Sequence, residues 1–326
     1  VGVDEDGAII NERAFKLGQQ QDVHDGLEQI TTALRDIDLV DLGIDPKDEA
    51  SSQNATTPTD TAFKIACEHR YTCSGCGETS SRTERTLGLM LDIRDCNTLD
   101  EALQRLVEED EIEYKCEGCR SANKPCLKTG LQHRVLVDLP DILVVYLSRL
   151  DATYQHKLTH AVSFNEIMDL ADFVDDGVAD TRYILHATVR HHGDIPTEGH
   201  YTVVRRSAGG WARMDDRNVS FVNQFPPDNS HSQTVLLFYS KIKPGTELPI
   251  PSSVGLDDDG QREHLPPYPS ALGGRDEDFP AAESSETSDD ESPESASEKH
   301  LADESEDMSV SRLIILVLCS LCTSAR

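Results

Sequence analysis

Positive charge is scarce in this sequence. Its 326 residues carry 30 Lys and Arg against 60 Asp and Glu, a formal charge of −30. A chain that tracks phosphates needs a basic face, so nucleic acid is excluded as the main partner. Aromatic residues are few, at 5%, with a single tryptophan. Hydrophobic residues make up 37%, enough for a core in part of the chain but not throughout. No apolar run reaches the ~20 residues of a membrane-spanning helix. Leu313–Leu318 is closed by Cys319 and Ser320 and reads as a sticky terminal segment, with a membrane anchor disfavoured. No internal repeat and no signal peptide are evident, so cytoplasm or nucleus is the default location.

Cysteine is missing until Cys67, and the first residue is Val1 rather than methionine. Nine cysteines follow, at 67, 73, 76, 96, 116, 119, 126, 319 and 322. An odd count with two C-x-x-C pairs suits a reducing compartment and metal binding better than a disulfide framework. Cys73-Ser-Gly-Cys76 and Cys116-Glu-Gly-Cys119 stand 39 residues apart. Zinc binds four thiolates tetrahedrally, and a C-x-x-C turn presents two sulfurs from one loop. Four protein ligands leave no open position, so the expected zinc is structural. The alternative is a set of buried free thiols; a redox pair is disfavoured because neither motif opens a helix after a strand. Cys67, Cys96 and Cys126 lack paired spacing and read as core or surface residues.

Helical spacing of Val23, Leu27, Ile30, Leu34 and Ile37 predicts a helix over 22–38. Residues 45–61, with Pro46, Pro58 and a Ser/Asn/Thr cluster, read as a loop. Short strands are expected from Ala62 to Ile93. Thr98 and Glu101 form a capping box that opens a helix through Leu99, Leu103, Leu106 and Val107. Then come a strongly apolar stretch from Val135 to Leu150, broken at Pro140, and a half-buried alternating strand through Tyr183, Leu185, Ala187 and Val189. A hairpin turns at Ser207-Ala-Gly-Gly210, and Val235–Ser240 is a last buried strand. The fold class is α+β. From Lys243 onward the composition cannot bury enough apolar area to offset chain entropy. Between Leu256 and Asp307 there are 18 Asp/Glu against three Lys/Arg, so half of the net charge sits there. Ser288-Asp-Asp-Glu291 would suit an acidophilic kinase, although a plain solvated tail is the simpler reading.

The hairpin sets His200 beside Asp215, the pairing that makes a histidine a base for a nucleophile. Alone, it fits an edge histidine with a satisfied hydrogen bond equally well. Its context resembles the histidine box of the ubiquitin-specific proteases: His191-His-Gly193, Gly199-His200-Tyr201, Trp211, Asp215-Asp216. Gln20-Gln-Asp22-Val-His-Asp-Gly-Leu27 resembles the glutamine-rich box of that family. The cysteine knuckles resemble its zinc-bearing fingers. Leu139-Pro140, Tyr146-Leu-Ser-Arg149-Leu150 and Lys157 resemble the segment between fingers and histidine box. These blocks keep the family's order across residues 14–240.

The resemblance implies a papain-like cysteine peptidase of thumb, palm and fingers. The domain would span 1–242, with fingers at about 62–130 and palm at about 131–242, followed by a disordered tail over 243–312 and an apolar segment over 313–326. It implies ubiquitin and ubiquitinated proteins as partners, His200 as catalytic base and Asp215 as its orienting group, with Asp216 assisting or substituting. It implies structural zinc on Cys73, Cys76, Cys116 and Cys119. Loops at 151–156 and 193–198 would lie over the ubiquitin tail. The family's nucleophilic cysteine and an oxyanion-stabilising asparagine belong upstream of the glutamine-rich box, and no cysteine precedes that box in this chain. The chain is therefore expected to be a piece of an active deubiquitinase whose nucleophile lies upstream. A catalytically inactive ubiquitin-binding pseudoenzyme or scaffold is the alternative, and a zinc-ribbon nucleic-acid module is disfavoured by the acidic balance.

Overall fold

The computed structural model describes residues 2–3, 9–10, 22–121, 128–151, 153, 156–195, 198–207, 210–216, 218–222 and 230–243. The expected tail and apolar segment, apart from Lys243, lie outside these residues, as do Cys126, Cys319 and Cys322. Two short strands, β1 (Gly2–Val3) and β2 (Ile9–Ile10), pair antiparallel. Helix α1 (Val23–Asp41) starts at Asp22, whose carboxylate accepts from the backbone N–H of His24 at 2.7 Å. An anionic cap suits the positive end of the helix dipole. The packed face differs from the expected one. Val23, Leu27, Thr31 and Leu39 are buried, while Ile37 is 58% exposed. The helix turns the Arg35 side inward, because that side chain is needed by the next segment.

That segment is not a loop. It holds α2 (Glu49–Asn54) and α3 (Pro58–Phe63). Asp48 caps α2; Thr57 and Asp60 form a full capping box on α3, with proline at the first turn. The same polar residues that suggested a loop are the caps of two short helices. Arg35 donates to both oxygens of Asp60, at 2.9 and 3.0 Å, and to the carbonyls of Ser52 and Ala55. Lys64 Nζ reaches Asp60 at 2.7 Å. The Arg35–Asp60 pair thus ties α1 to α3, and Arg35 extends the tie to α2.

The pH behaviour of this tie has a definite sign. Burial raises the Asp60 pKa, but the hydrogen bonds from Lys64, Thr57 and Arg35 outweigh it, and the net position is below the ordinary 3.8. A carboxyl depressed in the folded state stabilises above its unfolded pKa and loses that contribution as pH falls through the folded value. Asp60→Ala is expected to cost about 3 kcal/mol near pH 7, since two cations lose their partner. Thermal unfolding of parent and variant from pH 7 downward should show the gap narrowing below about pH 4. A gap unchanged in acid would mean that the carboxylate charge is not its source.

Strands β3 (Lys64–Cys73), β4 (Thr79–Leu87), β6 (Asp110–Glu113) and β7 (Thr129–Asp138) form one antiparallel sheet in the order β4-β3-β7-β6. Between them the chain leaves this sheet. Strand β5 (Leu89–Asp92) joins the second sheet and helix α4 (Leu99–Val107) packs against it, so residues 62–130 contribute to both sheets. The short α5 (Glu117–Ser121) carries the second cysteine pair. Gly88 makes the departure possible. It has φ +65°, and a Cβ there would meet the Val144 carbonyl oxygen at 2.1 Å.

The second sheet adds β8 (Ile142–Ser148), β9 (Ile167–Asp169), β10 (Arg182–Ile195), β11 (Glu198–Ser207), β12 (Gly210–Asp215), β13 (Asn218–Val222) and β14 (Thr234–Lys241). Its order is β13-β12-β11-β10-β14-β8-β5, with β9 on β10. All pairs are antiparallel except β5 with β8. The apolar runs of β8 and β14 fill the centre, where Leu143, Val145, Leu147, Leu237 and Tyr239 are buried with Leu91 and Leu103. Continuous rather than alternating hydrophobicity is what strands covered on both faces require. β10 alternates as expected at Tyr183, Leu185, Ala187 and Val189, but Thr188 and Arg190 on its other face are buried as well.

Candidate functional site

Strand β10 runs out past the sheet, and β11 returns beside it with His192 opposite His200 and His191 opposite Tyr201. Ser207 and Gly210 pair at the head of the next hairpin, and β12 descends to Met214 opposite Val203, which brings Asp215 within reach of His200 on β11. The carboxylate and the imidazole meet: His200 Nε2 and Asp215 Oδ1 are 2.6 Å apart. A carboxylate only accepts, so Nε2 is the donor of this bond. His200 and Asp215 are both part-exposed, at 41% and 35% of the side chain. The hydrogen bond from His200 pulls the Asp215 carboxyl below its ordinary range, with Arg213 adding to the shift. Asp216 follows in a left-handed turn, φ +52°, and its carboxylate lies within the same group of side chains. The sequence reading thus brought three residues together as the structure does. It missed Arg213, whose Nη2 donates to Asp215 Oδ2 at 3.0 Å. The only signal was its position two residues before Asp215, which puts both on one face of a strand.

Behind the opposite face lies a small cavity of about 50 Å³ between Asp22, Tyr146, Lys157, His191 and Tyr201. Arg149 forms its floor. This guanidinium is 3% exposed and donates to the carbonyls of Thr234, Leu158, His160 and His231. Burial lowers its pKa to about 10, which still leaves it charged at neutral pH. Lys157 Nζ donates to the carbonyls of His191 and Gly193 and so holds the outer end of β10. Burial, then Lys157 and His192, depress His191 to about 4, so this ring is neutral near pH 7. His24 at the head of α1 stacks at a tilt on Tyr146, with centroids 5.2 Å apart. The start of α1, β8 and β10 therefore converge on one cleft.

At the far end of the first sheet, the four knuckle cysteines come together. Cys73 and Cys119 sulfurs are 3.8 Å apart, and those of Cys76 and Cys116 are 3.6 Å apart. A disulfide needs about 2.05 Å, so these are not bonded pairs. A tetrahedron with metal–sulfur bonds of about 2.3 Å has edges of about 3.8 Å, which is the spacing found. Backbone N–H groups of Cys76 and Gly75 lower the Cys73 thiol to about 6. At Cys116 the Cys119 N–H pulls the same way, but burial and the neighbouring Cys76 and Cys73 sulfurs prevail and push it up. Cys73 is thus the easier of these two thiols to ionise. The four sulfurs can hold a zinc ion. Cys96 is buried beside β5 and Cys67 is half-buried on β3, away from any such set. No helix among the described residues is long and apolar enough to cross a membrane.

Known proteins are similar to this chain in sequence and fold. Residues 8–239 match the family model described as ubiquitin carboxyl-terminal hydrolase. The chain is 28% identical over 218 residues to ubiquitin carboxyl-terminal hydrolase 25 of Arabidopsis thaliana, covering 63% of this chain and 31% of that protein. It is 30% identical over 242 residues to ubiquitin C-terminal hydrolase 15 of Oryza sativa subsp. japonica, covering 70% and 23%. The chain thus spans less than a third of these curated relatives. Among solved structures, it is similar to a Ubp8-containing SAGA DUB module bound to monoubiquitin, with TM-score 0.58 and 25% identity over 69% of this chain and 49% of that one. The match reaches from before the glutamine-rich segment to the last strand, so the chain belongs to the ubiquitin carboxyl-terminal hydrolase family.

Proposed function

We propose that the chain is the greater part of the catalytic domain of a deubiquitinase, which hydrolyses isopeptide or peptide bonds at the C-terminus of ubiquitin with a cysteine nucleophile supplied upstream. The observation that carries this reading is the 2.6 Å bond between His200 and Asp215 in a chain of this family. Nε2 is fixed on the carboxylate, so Nδ1 is the nitrogen that takes the thiol proton and later returns it to the leaving amine. Asp215 holds the tautomer and stabilises the imidazolium. Asp216 assists from the adjoining turn. The extended tail of ubiquitin would pass near Tyr146 and Tyr201, flanked by the loops at 151–156 and 193–198. The first sheet acts as fingers on the globule, held by a structural zinc on Cys73, Cys76, Cys116 and Cys119. In domain terms, 1–242 is the peptidase region and 243–326 its appendage.

One observation favours a second reading. None of the six described cysteines belongs to the side-chain group of His200, Asp215 and Asp216. Without an upstream thiol the protein would be a ubiquitin-binding pseudoenzyme. The test is labelling of the endogenous protein by ubiquitin with a thiol-reactive electrophile at its C-terminus, read by intact mass. A single adduct on a cysteine upstream of Val1 is the expected result. A protein that binds ubiquitin but takes no label would replace the peptidase by the pseudoenzyme.

A further inference from the structure

Asp215 has two carboxylate oxygens, and both are taken. His200 holds Oδ1 and Arg213 holds Oδ2. The ladder extends this face across the sheet. Arg213 lies opposite Val204, Arg190 opposite Thr202, and His192 opposite His200. Residues two apart on a strand share a face, so Arg190, His192, His200, Arg213 and Asp215 all leave the same side. The charges on this side are unequal. Arg190 is 5% exposed, and its Nε and Nη2 have no hydrogen-bond partner among the described residues. Among the same residues Arg213 Nε has none either. Two guanidinium groups and two imidazoles thus share one side of the sheet with a single strand carboxylate, the part-exposed Asp215, with Asp216 at the turn.

We infer that Arg213 is a positioning residue for the His200–Asp215 pair, clamping the carboxylate from the side that the imidazole leaves open. The inference rests on the deubiquitinase reading above. A carboxylate held by one hydrogen bond can turn about its own axis; one held at both oxygens cannot, and it fixes the imidazole plane. The clamp also sets basicity. Asp215 alone would favour the imidazolium, and the guanidinium beside it offsets part of that field. A neutral imidazole is the form that can accept a thiol proton. His192 reports the same field: burial, then Arg213, Arg190 and His200, hold it below its ordinary value.

The test needs no catalysis. The imidazole of His200 is titrated by NMR in the 326-residue chain and in Arg213→Gln, Arg213→Lys and Asp215→Asn variants. Arg213→Gln should raise the His200 midpoint by about 0.5–1 pH unit, the size expected of a part-exposed charge at this range. Arg213→Lys should stay near the parent because it keeps the charge, and Asp215→Asn should move the midpoint down. In the active enzyme, Arg213→Gln should move the acid limb of kcat/KM upward by the same amount. If Asp215→Asn shifts His200 and Arg213→Gln does not, the clamp is wrong and the pair stands. If neither shifts it, the pair itself fails, and the proposed function with it. A lowered unfolding temperature in Arg213→Gln with an unmoved titration would make Arg213 merely structural and overturn the inference.

Discussion

His200→Ala, placed in the longer protein that carries the nucleophile, is expected to lower kcat/KM for ubiquitin cleavage by about 10⁴-fold or more. The size follows from what the residue does. A cysteine thiol is only a few per cent thiolate near pH 7. Without the imidazole it loses both its base and the acid that returns the proton to the leaving amine. No neighbour can substitute: His192 makes its own bond to Thr202 at 2.8 Å, and His191 is buried and neutral. Asp215→Asn should lose less, since an amide oxygen still accepts from Nε2 while the charge is gone. Ubiquitin affinity should stay near the parent's in both variants, because neither residue lines the cleft beside Tyr146 and Tyr201. The readout is release of a fluorescent amine from the C-terminus of ubiquitin, with binding measured separately. Turnover within tenfold of the parent would remove His200 from the mechanism.

The parts of this fold that local chemistry encodes were legible in the sequence. Thr98 and Glu101 announced α4, and both capping bonds are present. The turn residues at 207–210 fixed the hairpin, and once a two-residue turn is placed the register follows. His200 and Asp215 could therefore be paired without coordinates. The parts that long-range pairing decides were not legible. Strand β5 leaves the fingers because Leu89 and Leu91 pair in parallel with Val145 and Leu147, some fifty residues later. Nothing near residue 89 says so. The face of α1 was misjudged because Ile30, Leu34 and Ile37 make a regular apolar stripe, while the Asp60 carboxylate draws Arg35 to the inside instead. Short helices α2 and α3 were hidden because six residues give too little periodicity to read, and only their caps betray them. Arg213 was overlooked for a related reason. An arginine two residues from an aspartate is unremarkable until the ladder shows that the other oxygen of that aspartate belongs to a histidine.

Cys116→Ser is expected to unfold the finger sheet while leaving the larger sheet folded. The core of that sheet is thin. β4 is exposed along nearly its whole length, and the buried residues at its far end are the cysteines themselves, with Tyr114 packed against them. Apolar burial there is small, so a zinc ion held by the four sulfurs would supply folding free energy at that end. Removing one of four thiolates should cost on the order of 5 kcal/mol at that end, a fraction of the ~10–16 kcal/mol that structural zinc can contribute. Glu78 adds to the effect, since its carboxylate lies against Gly118 and within 3.9 Å of the Cys116 sulfur, and it would be left facing the remaining thiolates. Hydrogen exchange should show lost protection over residues 64–87 and 110–138, with β8, β10 and β14 unchanged. A strong chelator should do the same to the parent. Acid should do so too, because each ligand must lose its proton to bind the metal and protonation competes with it. The separation of the two sheets is the informative part. If chelation left the fingers protected, the four sulfurs would be free thiols packed in an apolar end. If it unfolded both sheets together, the fingers would not be an independent unit, and the departure of the chain at Gly88 would be a covalent link between elements that melt as one.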